Sequence, residues 1–173
     1  GNGGENTVTG AEGNDVIVGS GGTDQLVGGI GDDTYVPSSV DQTLAENADE
    51  GIDTVSFADF GQPVTLSLGA NIENATGSAY ADTLTGNTLA NAIVGGGGND
   101  TLDGAAGVDQ IAGGAGDDSI AVDATSDVVS GGSGTDTVRA AASFVLGADV
   151  ENGVLLGTGP FSLTGNDLPN VLS

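Results

Sequence analysis

Between Gly95 and Arg139 the chain repeats one nine-residue phrase five times, as GGGGNDTLD, GAAGVDQIA, GGAGDDSIA, VDATSDVVS and GGSGTDTVR. The sixth place is always aspartate (Asp100, Asp109, Asp118, Asp127, Asp136) and the eighth always aliphatic (Leu102, Ile111, Ile120, Val129, Val138). Glycine holds the first and fourth places in every phrase but the one at Val122. Glycines at the first, second and fourth places take left-handed backbone angles at little steric cost, so the front of the phrase bends tightly and aims several carbonyls at one point. The last three residues are too few for a helix. An aliphatic residue between two small or polar ones suits a very short strand with one inward side chain. A nonad is thus half a coil. Two nonads close one turn of a flattened, right-handed, all-β parallel solenoid, in which each phrase stacks on the phrase two places away, about 4.8 Å along the axis.

This stacking puts Asp100, Asp118 and Asp136 on one edge and Asp109 and Asp127 on the other. Left bare, such columns of carboxylates repel. Calcium is a hard cation that takes six to eight oxygens at about 2.3 to 2.6 Å, and a carboxylate with carbonyls from two neighbouring turns matches that demand. The candidate ligands of this run are these five aspartates, with the turn carbonyls of Gly95, Gly98, Gly113, Gly116, Gly131 and Gly134. The alternative is a glycine turn capped by Asp without an ion, as in Asx-turns. Against it stands the fixed interval, which keeps the charge in phase from turn to turn.

Residues 1–36 form a first run of four nonads, GNGGENTVT, GAEGNDVIV, GSGGTDQLV and GGIGDDTYV. Here Asp15 stacks with Asp33 and Asn6 with Asp24, adding Asp15, Asp24 and Asp33 as candidate ligands with the carbonyls of Gly10, Gly13, Gly28 and Gly31. Residues 37–76 lose the period, apart from ADEGIDTVS, whose Asp53 is a weaker candidate. This break also holds VTLSL, whose alternation predicts a longer strand, and the segment LGANIEN. The second run, 77–139, opens with GSAYADTLT and GNTLANAIV, where Tyr80 and Leu89 replace the fourth glycine. These read as metal-poor coils packed by side chains, with Asp82 a second weaker candidate that caps the column of Asp100. A second break, 140–156, carries LGADVEN, and 157–173 begins further metal-poor coils, its TGNDLPNVLS matching TGNTLANAIV. Glu73 and Glu151, in the two LGAxxEN segments, read as structural residues where the chain re-enters the coil. The chain opens inside a repeat, without an initiating Met or a signal peptide, and reads as a piece of a longer repeat protein.

GGGGNDTLD and GGAGDDSIA resemble the repeats of the RTX (repeats-in-toxin) family of secreted bacterial proteins, whose nonapeptides form a parallel β-roll. The resemblance implies several bound calcium ions, folding after export by a type I secretion system, and a secreted or cell-surface location. LGAxxEN segments accompany such nonads in many large bacterial surface and secreted proteins.

Charge excludes several other functions. The net charge is −24 and Arg139 is the only basic residue, so nothing neutralises phosphates and nucleic acid is excluded as a partner. Anionic membrane surfaces, which draw polybasic segments, are disfavoured for the same reason. More than half of the 19 aspartates fall at the sixth place of a phrase, which solubility alone does not require. With no His and no Cys there is no Ser-His-Asp triad, no H-E-x-x-H zinc site and no thiol nucleophile. Carboxylate-only catalysis needs a cleft that so thin a solenoid does not offer. The reading is therefore a non-enzymatic calcium-binding module, acting as spacer, folding switch or assembly element, with end-to-end self-association among its partners. A repeat region belonging to a type I-secreted enzyme or toxin is the alternative. An ice-binding solenoid is a third, from Thr7, Thr9, Thr83 and Thr85 flanking inward aliphatics in triplets that do not recur in adjacent coils.

Overall fold

The computed structural model describes residues 2–48 and 50–173; Gly1, which opens the first run, and Asp49 of the ADEGIDTVS phrase lie outside the described residues. Among the described residues there are nineteen short strands and no helix. All strand pairs are parallel, and they stack as a β-solenoid with two facing walls. One wall is a continuous seven-stranded sheet in which Ile17, Tyr35, Val55, Ala75, Ile93, Ile111 and Val129 lie in register. The other wall is split. Its first part stacks Val8, Leu26 and Leu44, and its second begins at Leu66 and continues through Leu84, Leu102, Ile120 and Val138 to Gly153 and Leu172. A two-stranded sheet, pairing Phe144 with Leu163, lies beside the second part.

Within the nonad runs partners are 18 residues apart, as two nonads per coil require. Between Tyr35 and Ala75 the continuous wall instead advances by 20 residues per coil, so residues 37–76 stay in the solenoid although their sequence leaves the period. The extra residues are absorbed outside the strands. VTLSL forms only the three-residue strand Thr65–Ser67, because Val64 and Leu68 are buried at its two corners and end the wall there. The alternation was a true signal of facing, and the coil's width set the length.

The core is built of stacked, mostly aliphatic side chains from both walls, with Leu26, Tyr35, Val55, Leu102, Ile120 and Val138 wholly buried. Where the split wall changes over, Phe57 is buried and meets Phe60 edge to face, with ring centroids 5.3 Å apart. Outward threonines at 65, 83 and 101 do stack, which the spacing of the triplets did not foretell. Their companion column reads Ser67, Thr85, Asp103, so no flat double row of threonine forms.

The two LGAxxEN segments form matching corners. Asn71 and Asp149 take left-handed angles (φ 65° and 55°), a conformation Asn and Asp tolerate better than most residues. Each corner is clasped by the asparagines of the metal-poor coil that follows. Asn87 Nδ2 donates to the carbonyls of Gly69 and Ile72, both at 2.8 Å, and Asn166 Nδ2 donates to those of Gly147 and Val150 at 2.7 and 2.8 Å. The sequence matches between LGANIEN and LGADVEN, and between TGNTLANAIV and TGNDLPNVLS, are therefore two halves of one contact.

Candidate metal centre

At each turn the sixth-place aspartate is linked to its neighbours along the axis. Its Oδ1 accepts the backbone N–H of the aspartate one coil earlier. On one edge Asp82, Asp100 and Asp118 donate to Asp100, Asp118 and Asp136, each at 2.8 Å, and Val64 N–H donates to Asp82. Glu151 ends this column by accepting from Asp136 N–H at 2.8 Å. On the other edge Asp15 donates to Asp33, Asp33 to Asp53 and Asp53 to Glu73 Oε2. Asn91 continues that edge, donating from Nδ2 to the Glu73 carbonyl and from N–H to Asp109, and Asp109 in turn donates to Asp127. Asp15 and Asp33 of the first run thus share one column with Asp109 and Asp127 across the break. Glu73 and Glu151 serve as the oxygen that an aspartate supplies elsewhere. A separate short column holds Asn6, Asp24 and Gln42.

The second carboxylate oxygen distinguishes the turns. Oδ2 of Asp15, Asp33, Asp100, Asp109, Asp118 and Asp136 is buried with no hydrogen-bond partner among the described residues. Three other candidates are satisfied by the protein itself. Asp24 Oδ2 accepts from Ser20 N–H and Gln42 Nε2, and Asp127 Oδ2 from Ala124 N–H. Both oxygens of Asp82 accept from Ser78 or Val64. Tyr80 and Leu89 do not pack their coils as expected, being 46% and 37% exposed. Those turns close by side-chain hydrogen bonds instead, with Ser78 Oγ and Asn87 Oδ1 accepting from the N–H groups of Tyr80 and Leu89.

The glycines divide into two kinds. Most of those at the second and fourth places take left-handed angles, for example Gly96 and Gly98 (φ 108° and 101°). The first-place glycines do not; they are glycine because of what surrounds them. A Cβ on Gly95 would collide with Asp100 Oδ2 and lie 2.5 Å from the Gly113 carbonyl, and one on Gly10 would lie 2.6 Å from Asp15 Oδ2 and 2.7 Å from the Gly28 carbonyl. Gly113 is likewise enclosed by Asp118 Oδ2 and the Gly131 carbonyl, and Gly131 by Asp136 Oδ2 and the Asp149 carbonyl. The open carboxylate oxygen and the first-place carbonyl of the next coil therefore converge beside each of these glycines. The Gly95 carbonyl faces Gly77 and Asp82 in the same way. Fourth-place carbonyls of Gly13, Gly98 and Gly116 stack against Gly31, Gly116 and Gly134 of the following coil.

Burial without a counter-charge shapes the electrostatics. Desolvation, opposed by the backbone N–H bond and reinforced by neighbouring carboxylates, pushes Asp100 up to about 7 and Asp53 up to about 6. Asp109, Asp118 and Asp136 are raised for the same leading reason. Arg139, the sole cation, is exposed. Because these groups hold protons more tightly folded than unfolded, the metal-free fold is favoured at acid pH and loses stability as pH rises through about 6 to 7. Circular dichroism in chelator should accordingly show more β-structure at pH 5 than at pH 8, and the calcium midpoint should rise on acidification as protons compete for the same oxygens. Equal spectra at the two pH values would contradict the burial of bare carboxylates.

A family model for the RTX calcium-binding nonapeptide repeat (4 copies) matches residues 1–35, 69–102, 76–111, 85–120 and 103–138, more than half of the chain. The chain belongs to this family. No curated protein matches it. RTX repeats are a structural calcium-binding module, typical of secreted bacterial proteins, and their cofactor is Ca2+. The residues present fit that ion, since the turns of Asp15, Asp100, Asp118 and Asp136 each offer a buried, unpartnered carboxylate oxygen beside a backbone carbonyl, in space that only glycine leaves free.

One acidic residue escaped the sequence reading. Glu46 lies with Asp33 and Asp53 in a group that brings one carboxylate oxygen from each residue within 4.8 Å of the others. Its signal was present in the spacing. Leu44 stacks on Leu26, so the 18-residue register extends one coil into the break and sets Glu46 opposite Gly28.

Proposed function

We propose that the chain is a calcium-binding β-roll module of a secreted or cell-surface bacterial protein, folding on calcium outside the cell and acting there as a spacer or assembly element, without catalysis of its own. The supporting observation is the set of six aspartates whose second oxygen is buried and unpartnered. Calcium would supply the missing positive charge and coordination at Asp15, Asp33, Asp100, Asp109, Asp118 and Asp136. The first-place carbonyls of Gly28, Gly113 and Gly131 complete the nearest donors. Asp24, Asp127 and Asp82 are weaker sites in this reading, their oxygens being occupied already.

Such a setting suits the protein's composition. Millimolar calcium outside cells fills modest sites that stay empty at cytosolic levels, and a chain of net charge −24 with few aromatics remains expanded until its carboxylates are neutralised. End-to-end stacking of copies belongs to the same reading, because a terminal strand of a parallel solenoid pairs with a further strand of the same kind wherever none of its own chain covers it. Calorimetric titration of the chelator-treated chain is the test. Several calcium ions should bind per chain, with proton release at neutral pH from the raised aspartates. Binding of no more than one ion would end the proposal. Monodisperse monomer in light scattering at saturating calcium would remove the self-association part alone.

A further inference from the structure

We infer that Asp33, Glu46 and Asp53 form a calcium site of a different kind from the repeat turns, tighter than they are, at the point where the split wall breaks off after Leu44. The inference rests on the reading that buried carboxylates in this chain take calcium. In a repeat turn one aspartate oxygen meets a backbone carbonyl of the next coil's first-place glycine. Here the next coil's first-place residue is Glu46, and its side chain enters the space instead.

Several observations combine. The three carboxylates bring one oxygen each to within 4.8 Å of the others, and Asp33 and Asp53 are each only 1% exposed. Asp33 Oδ2 and Glu46 Oε2 are both buried and unpartnered among the described residues. Glu46 is held in place by hydrogen bonds to one of its oxygens. Oε1 accepts the N–H groups of Gly28 and Gly29, at 2.9 and 3.1 Å, and the Tyr35 hydroxyl, which itself accepts from Gly28 N–H at 2.7 Å. One oxygen is thereby saturated and the other left free, the arrangement by which outer partners orient a metal ligand. A Cβ on Gly28 would collide with Asp33 Oδ2 and Glu46 Oε1 and lie 2.6 Å from the Tyr35 hydroxyl oxygen, so the space exists only because residue 28 is glycine. Three formal negative charges in a rigid pocket favour a hard cation over a site with one carboxylate and neutral carbonyls.

Tyr35 makes the site observable. The chain has two tyrosines and no tryptophan, so terbium, a hard oxygen-seeking ion used as the probe, is excited only through Tyr35 once Tyr80→Phe is in place. In the full Tyr80→Phe chain, sensitised emission should saturate at one terbium per chain and precede the circular-dichroism transition of the nonad runs. Added Glu46→Gln should raise its midpoint by about tenfold or more, the scale on which ligand charge tunes such sites. Tyr35→Phe should abolish the emission. Emission that rises only together with the dichroism transition, or a midpoint within about twofold of the parent in Glu46→Gln, overturns the site while the calcium-binding β-roll stands. Should neither terbium nor calcium bind the chain or alter its dichroism, the broader reading and the site both fall.

Discussion

In chelator at pH 8 the chain should lose most of its parallel β-structure, and millimolar calcium should restore it. Two buried carboxylates about 4 to 5 Å apart repel by roughly 1 to 4 kcal/mol, depending on the local dielectric. The columns place aspartates one strand spacing apart, and among the described residues no basic side chain pairs with them. Each ion that binds only the folded form adds about 2.7 kcal/mol when calcium stands a hundredfold above its dissociation constant. Six such turns, if each took an ion, would together contribute more than the about 5 to 15 kcal/mol by which ordinary domains are stable. On the proposed reading the metal term decides whether the fold exists. Far-ultraviolet dichroism in chelator and in 10-millimolar-order calcium (~10 mM, well above the weakest class of extracellular site) is the measurement. Indistinguishable spectra at pH 8 would mean that the buried oxygens are accommodated without an ion.

Asp118→Ala should raise the calcium midpoint for folding by about tenfold, and Asp127→Ala by less than about threefold, because only the first removes a buried oxygen left without a partner. The two aspartates share one structural duty. Asp118 Oδ1 accepts from Asp100 N–H and Asp127 Oδ1 from Asp109 N–H, so each alanine leaves one backbone donor unpaired, at a cost of about 1 to 3 kcal/mol. That cost cancels in the comparison. What remains is Oδ2. In Asp118 it is buried, unpartnered and beside the Gly131 carbonyl; in Asp127 it accepts from Ala124 N–H at 3.1 Å. Calcium titrations of both variants followed by dichroism separate the cases. Equal midpoints, or a larger shift in Asp127→Ala, would show that the open oxygen at Asp118 is not where calcium acts.

Asp109 shows how far the glycine pattern carries. Its phrase, GAAGVD, lacks the second glycine. Ala105 nevertheless takes the left-handed angle that a glycine was expected to provide (φ 61°), and Asp109 Oδ2 remains buried and open. A strained alanine in one turn costs on the order of 1 kcal/mol, small beside the ladder of hydrogen bonds holding the turn on both sides. Counting glycines thus underrates this site.

The period alone determined the solenoid, the 18-residue step, the inward ladder from Leu84 to Val138 and the alignment of the repeat aspartates, because a nonad's turn and strand are local and each coil copies the one before. Tertiary structure decided the rest. Residues 37–76 keep the continuous wall by 20-residue steps, since extra residues can leave between strands without disturbing the ladder, and no period marks where they leave. Whether an aspartate keeps an open oxygen depended on partners outside its phrase or on how its turn closes: Gln42 for Asp24, Ser78 for Asp82, Ala124 for Asp127. Glu73 and Glu151 took up places in the polar columns because three-dimensional stacking, unlike sequence position, offers a side chain of any origin the same hydrogen-bonding slot, and the same stacking set Glu46 beside Gly28.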